Sequence, residues 1–230
     1  MTVRCGCEFQ VSTHYARRVD GPARRERLAE SRLYLVLEAR PHGDDPRPLL
    51  DAALRGGVDI VQLREKGLEA EALIAAAEPF RAACKEHGAL FVLNDRPDLV
   101  AACGADGVHL GRSDTPVAKA RSLVGPERLV GLSVSALDEL GDVRGADYAG
   151  VTAFATPTKE DAVAGGLELL RAAAATLTVP WFAIGGIELS NVADVAAAGA
   201  PGVAIVRAIR DACDPEAAAR MLRAALDRQQ

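Results

Sequence analysis

No run of about 18 uncharged apolar residues occurs anywhere in this sequence. The opening segment MTVRCGCEFQVSTHYARRVDGPARRERLAE contains no apolar stretch of the kind that forms the middle of a secretory leader. A membrane span and export are therefore not expected, and a soluble cytoplasmic protein is. An excess of positive charge is missing too. Lys and Arg total 27 against 32 Asp and Glu, a net charge of -5, which leaves no global basic field for nucleic acid or an anionic membrane surface. Any anion must be met by a local site. Paired cysteines are also absent: Cys5, Cys7, Cys84, Cys103 and Cys213 are odd in number and show no C-x-x-C spacing. Such a set fits reduced thiols in the cytosol better than a disulfide framework. Cys5 and Cys7 lack a second pair, so no metal is expected there. Finally, no Gly-rich phosphate loop follows the first apolar run, LYLVLEARPHGDD, which counts against an open doubly wound sheet.

What the chain does contain is a rhythm. It is 230 residues long, 49% hydrophobic and 26% charged, enough for one sizeable core. Short β-branched runs recur at 33–39, 59–66, 90–95, 107–111, 128–134, 148–154, 181–187 and 202–209, with Ala- and Leu-rich helical stretches between most of them. That alternation is the mark of βαβ units. GGVDIVQL, GADGVHL, GADYAGV and GAPGVAI each set a glycine after a helical stretch and a strand soon after it, as a left-handed helix C-cap requires. Eight units predict a single-domain (β/α)8 TIM barrel over 33–230, with its chemistry on the loops after the strand C-termini. Residues 1–32 are Arg-rich and read as an N-terminal extension, loosely docked or partly disordered, with a short helix.

Polar residues gather where those strands end. In VQLREK, alternation places Gln62, Arg64 and Lys66 on one face, the face turned into the barrel. Two buried cations need an anion. A salt-bridge layer with neighbouring strands would supply one, and so would a ligand; their position late in the strand favours the ligand. LNDR puts Asn94 and Asp95 after the third strand and HLGRSD puts Asp114 after the fourth. Two carboxylates on adjacent loops suit Mg2+ beside phosphate oxygens, although Asp is also an ordinary turn and cap residue. Ser133 ends the fifth strand, Thr156, Thr158 and Lys159 follow the sixth, Gly185 and Gly186 end the seventh, and Val206 and Arg207 end the eighth. In this fold the loops after strands seven and eight commonly hold phosphate. His109 points inward and reads as a hydrogen-bonded core histidine rather than a base, because no carboxylate partner is identifiable. Trp181 reads as packing.

Taken in order, VQLREKG, LNDRPDL, GADGVHLGRSD, GLSV, ADYAGV, TPTK, PWFAIGGI and GVAIVRAI resemble the thiamine phosphate synthase (thiamine-phosphate pyrophosphorylase) family from about residue 33 to 220. The resemblance implies a transferase of thiamine biosynthesis. It would join hydroxymethylpyrimidine diphosphate to a thiazole phosphate, releasing pyrophosphate by a Mg2+-dependent dissociative substitution. Carried over by position, Gln62, Arg64, Lys66, Asn94, Ser133 and Lys159 would hold the pyrimidine diphosphate, with Lys159, Ser133 and Arg64 catalytic. Asp95 and Asp114 would bind Mg2+, and Thr156, Thr158, Gly186, Val206 and Arg207 would surround the thiazole phosphate. The partners implied are small phosphorylated molecules, with a homo-oligomer open. Three places depart from the family pattern: GVTAFATPTK is one residue short and lacks a Gly-Pro, Arg207 stands where serine is common, and LVLEAR replaces L-V-T-D. Two alternatives remain. A thiazole tautomerase of the same barrel would need a histidine where Ser135 stands, and a non-catalytic phosphate-binding or regulatory barrel would keep the anion sites without turnover.

Overall fold

The structure is a computed structural model that describes residues 20–154 and 166–228. Eight parallel strands close into one barrel in sequence order, β1 (Leu33–Leu37), β2 (Ile60–Leu63), β3 (Leu90–Asn94), β4 (Gly107–Leu110), β5 (Leu129–Val134), β6 (Tyr148–Thr152), β7 (Trp181–Ile184) and β8 (Gly202–Ile205). The helices that precede and separate them are α1 (Gly21–Glu30), α2 (Arg47–Arg55), α3 (Ala70–His87), α4 (Val100–Cys103), α5 (Val117–Val124), α6 (Gly166–Thr176), α7 (Val192–Ala197), α8 (Arg207–Arg210) and α9 (Pro215–Asp227). After β5 the outer layer carries only a 3-10 turn, Leu137–Val143. All eight expected strands are present, each shorter at its C-terminal end than the apolar run that announced it, except that β5 runs to Val134 as read.

Alternation along each strand divides the core in two. Residues such as Leu35, Val61, Leu93, Val108 and Val203 face outward and pack on the helices, with Trp181 among them. Tyr34, Val36, Ile60, Leu90, Val92, Leu129, Tyr148, Phe182 and Ala204 face inward. The aromatic rings meet edge to face at the barrel axis, Tyr34 to Phe182 at 5.4 Å and Tyr148 to Phe182 at 6.1 Å between centroids, a packing aromatic quadrupoles favour.

The glycine repeat has the conformation its position demands: Gly57, Gly104, Gly145 and Gly199 all have positive φ. A second regularity runs through the same segments. Asp59, Asp106 and Asp147, each just before an even-numbered strand, accept backbone N–H groups from the preceding odd strand: Leu33 at 3.0 Å, Phe91 at 3.0 Å and Val130 at 2.8 Å. Each carboxylate also meets an arginine, Arg223, Arg24 and Arg25 respectively. Pro201 occupies the fourth such position, and its carbonyl accepts from Arg32 Nε instead.

Two of those arginines come from α1, which is not loosely docked. Asp20 caps it through Ala23 N (2.9 Å), Glu127 accepts from Gly21 N (2.6 Å), and Leu28, 2% exposed, joins the inward-facing cluster at the N-terminal end of the barrel. Apolar burial plus two partly buried ion pairs hold this segment down. That corrects the expectation of loose attachment for residues 20–30.

Candidate active site

The strands deliver their polar residues to the C-terminal end of the barrel. Gln62 and Asn94 are 3% and 7% exposed inside it. Arg64 and Lys66 lie beyond β2 rather than within it: the ladder closes with Arg64 N donating to Leu37 O (2.8 Å), and the chain then turns away. Strict alternation therefore stops at Leu63, yet both cations still face the barrel mouth. They line two adjoining cavities, one of about 730 Å³ and one of about 480 Å³, which also share Val36, Ile184 and Ala204. Neither cation has an ion pair with a described residue within 4.0 Å. Among the described residues, an internal salt-bridge layer is thus absent.

The larger cavity holds Gln62, Asn94, Asp95, Asp114 and Ser133. Asp95 adopts φ +60°, left-handed and rare outside glycine; its N–H donates to His109 O at 2.9 Å and Arg96 N closes back on Asn94 O at 2.8 Å. Such a conformation costs about 1–3 kcal/mol and persists only where neighbours enforce it. Asp114 folds back so that its Oδ2 accepts from Gly111 N at 2.7 Å. The turn aims it at Asp95. Burial first, then the hydrogen bond and the charge of Asp114, raise the Asp95 carboxyl to about 6; the Lys66 charge and an Asn94 hydrogen bond pull the other way. Two carboxyl groups that face one another in this way offer the hard oxygen ligands a divalent ion takes.

Below them runs a connected set of polar groups that sequence reading missed apart from its ends and His109. Gln62 Nε2 donates to Tyr34 OH (2.7 Å), Tyr34 OH meets Tyr148 OH (3.1 Å), Tyr148 OH meets His109 Nδ1 (3.3 Å), and His109 Nε2 meets Ser133 Oγ (3.0 Å). Two strand glycines make room for it. A Cβ on Gly131 would meet the Tyr148 ring, and one on Gly150 would lie 3.1 Å from His109 Cε1. Glycine inside a strand signals close approach of another group, and that signal was available in LVGLSV and YAGVT. The rim carries a further pair: Arg112 bridges to Glu139 (3.0 Å) and Asp142 (2.8 Å), while Glu139 also accepts from Ser135 N (2.6 Å).

The smaller cavity is lined by Gly186, Val206 and Arg207, with Gly185, Glu38 and Arg210. Gly185 and Gly186 have φ +103° and +61°, and a Cβ on Gly185 would stand 2.5 Å from Phe154 O, so only glycine fits there. Asn191 braces the turn by donating to Gly186 O at 2.9 Å. Arg210 pairs with Glu38 at 3.0 Å, so the residue just past β1 supplies a carboxylate to this wall. Ser135, where a tautomerase would need its histidine, bonds Thr152 at 3.2 Å. Thr156, Thr158 and Lys159 lie outside the described residues.

Comparison with known proteins agrees with the barrel fold and gives its family. Residues 33–209 match the family model described as thiamine monophosphate synthase. The chain belongs to that family. A thiamine-phosphate synthase from Streptomyces avermitilis is 47% identical over 200 residues, covering 85% of this chain and 93% of the relative. One from Thermobifida fusca is 48% identical over 204 residues, covering 86% and 94%. Among solved structures, a thiamine phosphate pyrophosphorylase from Pyrococcus furiosus superposes with a TM-score of 0.79 at 32% identity, over 89% of this chain and 98% of that one. A 3-hexulose-6-phosphate synthase at 23% identity and TM-score 0.64 shares the barrel alone.

Proposed function

We propose that this family member is a transferase that joins hydroxymethylpyrimidine diphosphate to thiazole phosphate, giving thiamine phosphate and pyrophosphate. The observation that carries the reading is the wall between the two cavities, where Arg64 and Lys66 stand without an ion pair to a described residue. The larger cavity takes the pyrimidine diphosphate on Gln62, Asn94 and Ser133. The smaller takes the thiazole phosphate on Gly186, Val206 and Arg207, with Thr156 and Thr158, and Lys159 for the diphosphate, assigned from sequence alone. The catalytic domain is the barrel, 33–230, behind an extension over 1–32.

The bond between the pyrimidine methylene carbon and the diphosphate oxygen breaks with its electron pair leaving on oxygen. The lone pair of the thiazole nitrogen forms the new C–N bond. A ring nitrogen needs no proton removed, and the two ring nitrogens of His109 meet Tyr148 and Ser133. Negative charge grows on the departing oxygens, and Arg64, Lys66 and Lys159 stabilise it there. Asp95 and Asp114 fit a Mg2+ ion, since their carboxyl groups face one another and the charge of Asp114, which helps raise Asp95, is one a cation would offset; when bound, the ion would supply charge neutralisation at the diphosphate. Cavity walls hold the reacting atoms in register, a contribution of several kcal/mol in related reactions. Among the described residues no helix is long and apolar enough to cross a membrane, and Cys84 and Cys103 are buried and free, in keeping with a reducing cytoplasm.

The test is an assay of purified protein with both substrates and Mg2+, following thiamine phosphate through its fluorescent oxidation product. Metal-dependent product is expected. Diphosphate binding without product over long incubation refutes the transferase and leaves a binding protein.

A further inference from the structure

One direction along the string of groups from Gln62 to Ser133 leaves no buried hydroxyl proton without an acceptor. An amide nitrogen has no lone pair to offer, so Gln62 Nε2 is the donor in its 2.7 Å contact with Tyr34 OH. Tyr34 is left one proton, and its other partner is Tyr148 OH at 3.1 Å. Tyr148, accepting there, sends its own proton to His109 Nδ1. That nitrogen is the acceptor of the ring, the proton sits on Nε2, and Nε2–H donates to Ser133 Oγ at 3.0 Å. Both phenols stay neutral throughout. Burial drives the Tyr34 and Tyr148 hydroxyls well above their ordinary range, so no phenolate interrupts the relay. The ring positions are fixed by packing, with Tyr148 against Gly131 and His109 against Gly150.

We infer that Tyr34 and Tyr148 are positioning residues that set His109 in its Nε2–H form and thereby oblige Ser133 to present its hydroxyl proton to the ligand. With His109 as donor, the Ser133 proton is turned away from the ring and is free for an acceptor on the ligand, such as a ring nitrogen or a phosphate oxygen. This deepens the active-site reading and rests on it for the identity of the ligand, but the state of the ring in the free protein does not depend on turnover.

The experiment is nitrogen-15 NMR of the ligand-free protein labelled at histidine, with His109→Gln used to assign the His109 signals among the four histidines. The wild type should show a protonated Nε2 and an unprotonated Nδ1. Tyr148→Phe should give mixed tautomers and raise KM for the pyrimidine diphosphate about twofold, as a competent state populated about half the time requires, with kcat nearly unchanged. His109→Gln, whose amide can still donate at the Nε2 position, should retain more activity than His109→Asn, which cannot. An Nδ1–H wild-type ring, a Tyr148→Phe spectrum identical to wild type, or equal loss in the Gln and Asn variants overturns the inference. A pure Nε2–H ring in a protein that makes no thiamine phosphate would sink the functional reading and spare this one.

Discussion

Gly131→Ala tests the interior packing most directly. Position 131 lies in β5 with ordinary strand geometry, so the added methyl group strains no backbone dihedral and acts only through contact. Its Cβ would stand 2.5 and 2.6 Å from Tyr148 Cε1 and Cε2, closer still to Cζ, under a ring that cannot retreat. Tyr34, Phe182 and His109 surround that ring at 6.1, 6.1 and 5.5 Å between centroids. Overpacking of a rigid core costs about 1–3 kcal/mol, and the buried ring puts this site at the upper end. A chain of this size then loses roughly 5–10 °C in Tm. Urea denaturation followed by circular dichroism measures it. The double variant Gly131→Ala/Tyr148→Leu, which removes the ring from the methyl group's path, should be less destabilised than the sum of the single changes. Gly131→Ala within about 0.5 kcal/mol of wild type would show that the ring does not rest on this strand.

Lys66→Ala should lower kcat/KM by about a hundredfold or more, through loss of charge stabilisation on the leaving diphosphate, while unfolding midpoints stay put; steady-state kinetics with and without excess Mg2+ checks it. Leu28→Ala, truncating the α1 side chain that closes the barrel floor, should cost about 2–5 kcal/mol in denaturation with little change in activity per folded molecule. Asp95 carries a pH dependence of defined sign. Its folded carboxyl is raised from 3.8 to about 6, so in EDTA its contribution to stability is fully present below about 4 and is lost as pH rises through about 6. Two units correspond to about 3 kcal/mol, which solvent screening of a half-buried group cuts to about 1 kcal/mol. Asp114→Asn should flatten part of that loss, the part due to Asp114 rather than to burial, and identical pH profiles for the two proteins would refute the pairing.

The barrel was legible because its signals are local. Eight β-branched runs, glycines after helices and alternation within strands each follow from backbone sterics and side-chain period, and they appear in the sequence whatever the rest of the chain does. Arg64, Lys66, Asp95 and Asp114 were legible for a related reason: polar residues just past an apolar run in this fold must sit at one end of the barrel. The aspartates before β2, β4 and β6 stand in plain sight in GVDI, GADG and GADY, but their partners, the N–H groups of other strands and arginines as distant as Arg24 and Arg223, are not implied by any spacing.

By itself the sequence determined the number and order of the elements and which residues reach the mouth of the barrel. Only the tertiary structure decided that α1 closes the floor through Leu28, that Arg64 and Lys66 form a wall common to two cavities, and that Tyr34, Tyr148 and His109, on three different strands, join Gln62 to Ser133. The physical reason is the barrel's closure: it brings together strands that are distant in the chain and fixes their register, and hydrogen-bond partners a few ångströms apart are set by that register rather than by anything either segment carries alone.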